Sequence, residues 1–541
     1  MDNFKKPNRT LKRSHAIDGF VAQKPHNVTH RQPLVTPTQT PKQQAYKLDN
    51  FSRADGFSAA SLTTPAVDTK APLNDTFKSK RRLKNKKIKR KRTPARLVLR
   101  VLFFLILIPA IIFGGIAGYG YFKARQVFQG GGSAAALEKN VDPVKLKGEG
   151  DGRINIVMYG IGGEGHDGAY LTDTIMIASI DPVQNESSLL SVPRDLWVQQ
   201  DSGTVSKINA VFAFAHDSAI SKAPNDKDAA IKAGAAASEK VLSGILGIPI
   251  NYFVVVDFVG FEQAVDTING LDITVTADTA VKETLWDGIT KKTYVLDAQP
   301  GTQHFDGQKA LYYSRSRYTS ARGDFSRSDR QRQVLEAFKQ KVESVGTYAN
   351  PVKVTQLLSA FGDHVRTDLT INEMMRLYDI GKNITPDKTF SLSLADVNNP
   401  LVTTGMISGQ SVVYPKAGLF VYSDIQSFVR NSLRDSFLKS ENASIQILNG
   451  TSISGLAGKK SADLKSYGYN VIGVGDAPTK TYTKSVLVDM RSGAKKYTLN
   501  YLQKRLGLTA VTSLPDPAVQ TNNADFVLIL GTDATATATT P

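Results

Sequence analysis

The chain has no cysteine. That excludes disulfides, thiolate zinc sites, iron–sulfur clusters and a Cys nucleophile. Its 541 residues include seven histidines, at 15, 26, 30, 166, 216, 304 and 364, and only His26 and His30 are four apart. These two lie in a polar stretch without helical pattern, so a zincin-type site is not expected. Acidic residues are scarce at the start: residues 1–100 hold 24 Lys and Arg against 6 Asp. The remaining 441 residues carry 43 basic and 43 acidic side chains, so the net charge of +18 resides in the leading segment. A neutral body argues against nucleic acid as a partner. With 41% hydrophobic and 21% charged residues the chain suits globular folding. Its length allows three or four units at roughly 150 residues each.

One long apolar run is present. Val101 to Phe122 reads VLFFLILIPAIIFGGIAGYGYF, 22 residues without a charge. About 20 such residues cross the hydrocarbon core. Pro109 and the glycines are tolerated in a membrane helix, and Tyr119 and Tyr121 stand where an interfacial belt is expected. Before this run, residues 78–100 hold thirteen Lys and Arg and no acid, whereas only Lys123 and Arg125 follow it closely. The positive-inside rule then puts the N-terminus in the cytoplasm and everything after about residue 125 outside. The long leader fits an uncleaved anchor better than a signal peptide. The basic run beside the membrane suits contact with anionic lipid. The expectation is a single-pass protein of the cell membrane, with its main body extracytoplasmic.

Composition divides the rest. Residues 1–77 are rich in Pro, Thr, Gln and Asn without a helical or strand period, which reads as a disordered cytoplasmic tail. Asp2-Asn3-Phe4 recurs at Asp49-Asn50-Phe51, and Asp18-Gly19-Phe20 at Asp55-Gly56-Phe57, either by chance or as a motif for a cytoplasmic partner. Residues 123–149 read as a linker, with QGGGSAAA at 129–136 as a flexible spacer. From about 150 to 440, β-rich runs at Ile154–Tyr159, Thr174–Ile180, Ser187–Ser191 and Tyr252–Asp257 alternate with helical spacing at Ala229–Leu246 and Arg327–Val342. This predicts an α/β fold with a mixed sheet flanked by helices. Residues 441–533 repeat the alternation on a smaller scale, a second α/β domain, before a low-complexity tail at 534–541.

Four motifs carry chemistry. Gly160–Gly165 reads GIGGEG and matches the dinucleotide fingerprint. That fingerprint must open a helix, and the nine residues before Ile175 leave no room for one. What remains is a glycine-rich loop carrying Glu164, His166 and Asp167. The second motif, residues 310–331, reads ALYYSRSRYTSARGDFSRSDRQ. If Tyr312–Tyr318 is a strand, Arg315 and Arg317 share a face. If a helix starts near Ser326, Arg327, Arg330 and Gln331 lie on one side of its first turns. Strand end and helix start would then form a cationic concavity, and arginine forks suit pyrophosphate oxygens. The alternative is a solvated charged face with Asp324 or Ser326 as a helix cap. In the third motif, Ser191–Asp195 (SVPRD), Arg194 and Asp195 end a strand, as a site pair or a surface salt bridge. In the fourth, LTDT at 171–174, Asp173 either caps a turn or, beside a pyrophosphate, makes a Mg²⁺ ligand.

Together these motifs resemble the LytR-CpsA-Psr family of cell-envelope phosphotransferases. The resemblance rests on INIVMYG, LTDT, SLLSVPRD, Lys207-Ile208-Asn209, VDFVGFEQAVDTINGLDITV, Gly301 with His304–Gly307, and the arginine block, spanning about 153–345. Residues 441–531, with IQILNGTSISGLAG, resemble the LytR C-terminal domain. The family implies transfer of a glycan polymer, such as teichoic acid or capsule, from an undecaprenyl-pyrophosphate carrier to a peptidoglycan hydroxyl. It implies that Arg194, Arg315, Arg317, Arg327 and Gln331 hold the pyrophosphate, with Arg330 beside them. It implies Mg²⁺ (or Mn²⁺) on Asp173, and Asp324 or Asp173 as base. Two positions depart from the family. Gly162 stands where a second metal-binding Asp is usual, and Leu171 where an Arg is usual. Glu164 or Asp167 is expected to supply the missing carboxylate. The same residues would also serve a pyrophosphatase, or a module that binds lipid-linked glycan or wall polymer without turnover.

Overall fold

The computed structural model describes residues 127–287, 292–316, 324–344, 361–362, 364–396 and 399–535. The tail 1–77, the basic segment 78–100, the expected span 101–122 and residues 536–541 lie outside them. Among the described residues no helix is long and apolar enough to cross a membrane.

Strand β1 (Ile154–Ile161) organises the larger unit. Val157, Tyr159 and Ile161 are buried toward one core, and Ile154 and Ile156 toward another. Such two-sided burial belongs to a strand in mid-sheet. There follow β2 (Thr174–Asp181), β3 (Glu186–Ser191), β4 (Trp197–Gln199), β5 (Val205–Lys207), α1 (Ile208–Lys222), α2 (Lys227–Leu246), β6 (Tyr252–Asp257) and α3 (Phe258–Thr267). Next come β7 (Leu271–Val275), β8 (Val281–Asp287), β9 (Lys292–Ala298), β10 (Gly301–Phe305), α4 (Gly307–Arg315) and α5 (Asp324–Ser344). Then come β11 (Val365–Thr367), α6 (Ile371–Gly381), β12 (Thr389–Ser393), β13 (Val402–Ile407), β14 (Gln410–Pro415), α7 (Ser423–Ser432) and α8 (Ser436–Glu441). The central sheet has the order β11-β6-β1-β2-β3-β12. It is mixed: β1 pairs parallel with β6 and antiparallel with β2, and β12 pairs parallel with β3. Hence β1, β3, β6 and β12 point the same way, and their carboxyl ends share one edge. Helices α1 and α2 pack on the face of Val157 and Tyr159. Helices α3 to α5 build a further core with β7 to β10.

Two sequence expectations change. The stretch 312–318 does not begin as a strand, because Tyr312–Arg315 is the end of α4. Asp306 caps that helix by accepting from Lys309 N (2.7 Å), and consecutive Tyr312 and Tyr313 are both buried in the core of α3 to α5. The spacer at 129–136 is built into the fold. Phe128 bridges to Thr367, Gly130 N donates to Leu369 O (3.2 Å), and Ala134 N donates to Tyr252 OH (3.1 Å). Ala136, Leu137, Val141 and Leu146 are buried because they fill the seam with the second unit.

That second unit is β15 (Ser444–Asn449), α9 (Leu456–Ser466), β16 (Asn470–Asp476), β17 (Val486–Asp489), α10 (Lys496–Leu506) and β18 (Phe526–Leu530), with sheet order β16-β15-β18-β17. Its core is continuous with Ile154 and Ile156. Buried Asp435 accepts from Gly150 N (3.1 Å), Gly152 N (2.8 Å) and Tyr501 OH (3.0 Å). Glu149 accepts from Arg505 Nε (2.6 Å) and Tyr469 OH (2.5 Å). The second unit therefore packs at the amino end of β1, roughly 20 Å along the strand from its carboxyl end.

One polar strain lies beneath the sheet. Glu239 on α2 is pushed up to about 7 by burial and by the Asp368 carboxylate, which is itself pushed up to about 6. The folded chain thus holds these protons more tightly than the unfolded chain. Their stabilising contribution is full below the ordinary carboxylate range and is lost as pH rises through about 6 to 7. Glu239→Gln is expected to stabilise the protein by about 2 kcal/mol at pH 8 and to change little at pH 4. Thermal melts of both proteins at the two pH values check this.

Candidate functional site

The loops leaving the carboxyl ends of β1 and β3 meet at the start of α1. Asn209 joins them through its backbone. Its N–H donates to Arg194 O (3.2 Å), and its carbonyl accepts from Thr172 N (3.2 Å). Asp173 N donates to Gly160 O (2.9 Å) at the end of β1. So fixed, Arg194 Nη1 donates directly to Asp173 Oδ1. Lys207 pairs with Asp195 (2.7 Å), so it steadies the same loop from β5. The glycine-rich loop between β1 and β2 contains no helix, as its spacing predicts. It is pinned by Tyr170 stacked on His216 (3.5 Å between centroids) and by His166 edge-on to Phe258 (5.1 Å). Gly163 has φ +84°, and a Cβ there would stand 2.9 Å from Asp257 Cβ. Both the conformation and the space require glycine.

Helices α4 and α5 add the cations. Arg315 is the last residue of α4, where a cation complements the helix dipole, and its guanidinium lies 4.2 Å over the Phe258 ring. Gln331 Nε2 donates to Thr174 Oγ1 (2.7 Å), one residue from Asp173. Arg332 Nη1 donates to Ser191 Oγ (3.2 Å), at the end of β3. Arg327 is buried in the first turns of α5. Arg330 is fully buried and donates to Tyr313 O (3.0 Å) and Ser316 O, the carbonyls that end α4. It positions α4 against α5 rather than facing the loops.

With this geometry in place, the sequence matches known families over most of its described length. The model of the LytR_cpsA_psr family matches residues 121–414. The chain belongs to the LytR_cpsA_psr family. A second model, LytR_C, described as LytR cell envelope-related transcriptional attenuator, matches residues 442–533. Among family members, the chain is 26% identical over 311 residues to the polyisoprenyl-teichoic acid–peptidoglycan teichoic acid transferase TagV of Bacillus subtilis, covering 55% of this chain and 71% of that protein. It is 27% identical over 227 residues to the transferase TagU of Enterococcus faecalis, covering 41% of this chain and 64% of that protein. A crystal structure of Bacillus subtilis TagV is similar with TM-score 0.38 and 25% identity, covering 52% of this chain and 97% of that one.

Against the LytR_cpsA_psr expectations, the structure gathers Asp173, Arg194, Arg315 and Gln331 at the sheet edge. It turns Arg330 inward. Arg317 lies outside the described residues, as does the side chain of Asp324, which opens α5. Leu171, where the family pattern has Arg, donates its N–H to Gly168 O (2.8 Å) and packs over that glycine. Glu164 is exposed and pairs with Lys227 on α2 (2.5 Å), which lowers the Glu164 carboxyl below its ordinary range. Asp167 is exposed. Among the described residues no group of three or more His, Cys, Asp or Glu is arranged to hold a metal. The donor set at Asp173 fits a hard cation only when phosphate oxygens complete it.

Sequence reasoning did not assign a role to Arg332, although it follows Gln331 directly. It also passed over the Asp257–His364 contact (2.7 Å), for which a separation of 107 residues leaves no local signal.

Arg330 and Arg194 should separate structure from site. Arg330→Met removes the donors of two buried carbonyls and is expected to cost about 3 kcal/mol. Arg194→Ala breaks the pair with Asp173 and is expected to abolish inorganic pyrophosphate binding. Denaturant melts and calorimetric titration of both variants check the pair.

Proposed function

We propose that the chain is a membrane-anchored, extracytoplasmic transferase that moves a glycan polymer from an undecaprenyl-pyrophosphate carrier onto a peptidoglycan hydroxyl. The observation that carries this reading is the convergence of Asp173, Arg194, Arg315 and Gln331 at one sheet edge. The names of the relatives TagV and TagU support it, since both are called teichoic acid–peptidoglycan transferases.

The chemistry follows from charge. The guanidinium groups of Arg194 and Arg315 bind the pyrophosphate oxygens and stabilise the charge that moves to the leaving lipid phosphate. Arg317 and Arg327 join them in this reading. Gln331 orients Thr174 and, through it, the neighbouring Asp173. Asp173 would hold Mg²⁺ or Mn²⁺ together with substrate phosphates, and the ion would add positive charge there. Glu164 or Asp167 is the proposed second carboxylate, Glu164 at the cost of its bond to Lys227. The LytR_C unit, clamped at the far end of β1, is proposed as a wall- or protein-binding accessory. The anchor is the run 101–122, with the basic segment on anionic lipid.

Two tests apply. The full-length chain in detergent is given a short radiolabelled glycan on polyprenyl pyrophosphate, with peptidoglycan fragments. Label is expected on peptidoglycan, with EDTA or Arg315→Ala lowering transfer at least about 100-fold. Label released only to water would make the chain a pyrophosphatase, and binding without turnover a glycan-binding module. If Glu164→Ala and Asp167→Ala both leave the Mg²⁺ dependence unchanged, neither is the second carboxylate. For topology, the cysteine-free chain allows single probes. In intact cells an impermeant maleimide is expected to label Ser133→Cys and not Thr63→Cys.

A further inference from the structure

We infer that His364, held by Asp257, is the proton acceptor for the attacking hydroxyl; this rests on the transferase reading above. Asp257 ends β6 opposite Ile161 of β1. It therefore stands at the same sheet edge as Thr174, on the other side of β1. Neighbouring strands are about 4.8 Å apart, which puts the ends of β2 and β6 about 10 Å from each other. Phe258 follows Asp257 and carries the Arg315 guanidinium at 4.2 Å and the His166 ring at 5.1 Å. One aromatic ring thus links the proposed phosphate-binding arginine to the pair.

The pair is built into its surroundings. His364 Nδ1 is 2.7 Å from Asp257 Oδ2, and Asp257 Oδ1 accepts from Gly260 N (2.8 Å). A carboxylate only accepts, so Nδ1 carries the proton and Nε2 of the neutral ring keeps its lone pair. A Cβ at Gly260 would stand 2.5 Å from His364 Cβ, and one at Gly163 would stand 2.9 Å from Asp257 Cβ. Glycine at both places leaves room for the two side chains. His364 is 27% exposed and Asp257 16%, so the ring is reachable while its carboxylate is sheltered. Asp173 is less suited to the task, because its carboxylate already accepts from Arg194.

The step balances. The acceptor hydroxyl oxygen bonds to the phosphorus next to the glycan as the bond to the lipid phosphate oxygen breaks. The lipid phosphate leaves with that electron pair. The hydroxyl proton passes to His364 Nε2, and Asp257 stabilises the imidazolium. Charged groups on neighbouring elements are Arg315 and His166 about Phe258, and Arg366 on β11, which pairs with Asp228 (2.7 Å). The ring accepts the proton only while it is neutral, so a rate that depends on it varies with pH.

The test compares the full-length chain with His364→Asn, Asp257→Asn and Arg194→Ala. Transfer rates are read from pH 5 to 9, with inorganic pyrophosphate binding and thermal melts on each. His364→Asn is expected to lose 100-fold or more in kcat, to lose the acid limb of the profile, and to recover in part with added imidazole. Its pyrophosphate binding stays at the parent level. If His364→Asn keeps the parent kcat and profile while Arg194→Ala is inactive, the transferase reading stands and the base assignment is overturned. If the parent chain binds pyrophosphate but transfers to no hydroxyl, both are overturned.

Discussion

The burial of β1 on both faces is the constraint from which the rest follows. Val157, Tyr159 and Ile161 face the α1–α2 core, while Ile154 and Ile156 face the core shared with the LytR_C unit. A strand so enclosed cannot slip by one residue, since a slip would exchange every side chain between two filled cores. Its carboxyl end is therefore a fixed point. Gly160 accepts from Asp173 N there, Thr174 pairs opposite Gly160, and Asp257 follows the residue paired with it on the other side.

The polar organisation of the site depends on backbone more than on side chains. Asn209 holds both site loops with its own N–H and C=O, and Arg330 satisfies the carbonyls that end α4. Such bonds restrict position without using the side chains of Asp173 or Arg315. They leave the Arg194–Asp173 pair and the Arg315 guanidinium at the sheet edge. A phosphate entering there would exchange with one partner of an existing ion pair. On the proposed reading the anion-binding surface would be formed before substrate arrives, and association would lose less side-chain entropy.

The two units divide the ends of the sheet between them. The segment 127–152 passes along β11 and gives Glu149 to Arg505 and the Gly150 and Gly152 N–H groups to Asp435. This fastens the LytR_C unit to the amino end of β1. This separation keeps the LytR_C unit clear of the edge where the arginines meet.

Local pattern by itself determined the mixed α/β class, the four early strands, both long helices and the smaller second unit. Each of these depends on neighbours within a few residues: β-branched runs, helical spacing and glycine breaks. It also placed Asp173, Arg194, Arg315 and Gln331 in site motifs. Only the tertiary structure decided what long-range packing controls. Tyr312 and Tyr313 are both buried, so Arg315 ends a helix rather than lying on a strand. Arg330 meets the α4 carbonyls only because α5 folds back, and it turns inward. The glycine-rich stretch at 129–136 reads as flexible by composition, yet partner residues 118 or more positions away order it. Likewise His364 reaches Asp257 only because β11 adds to the sheet beside β6, a pairing that no local period encodes.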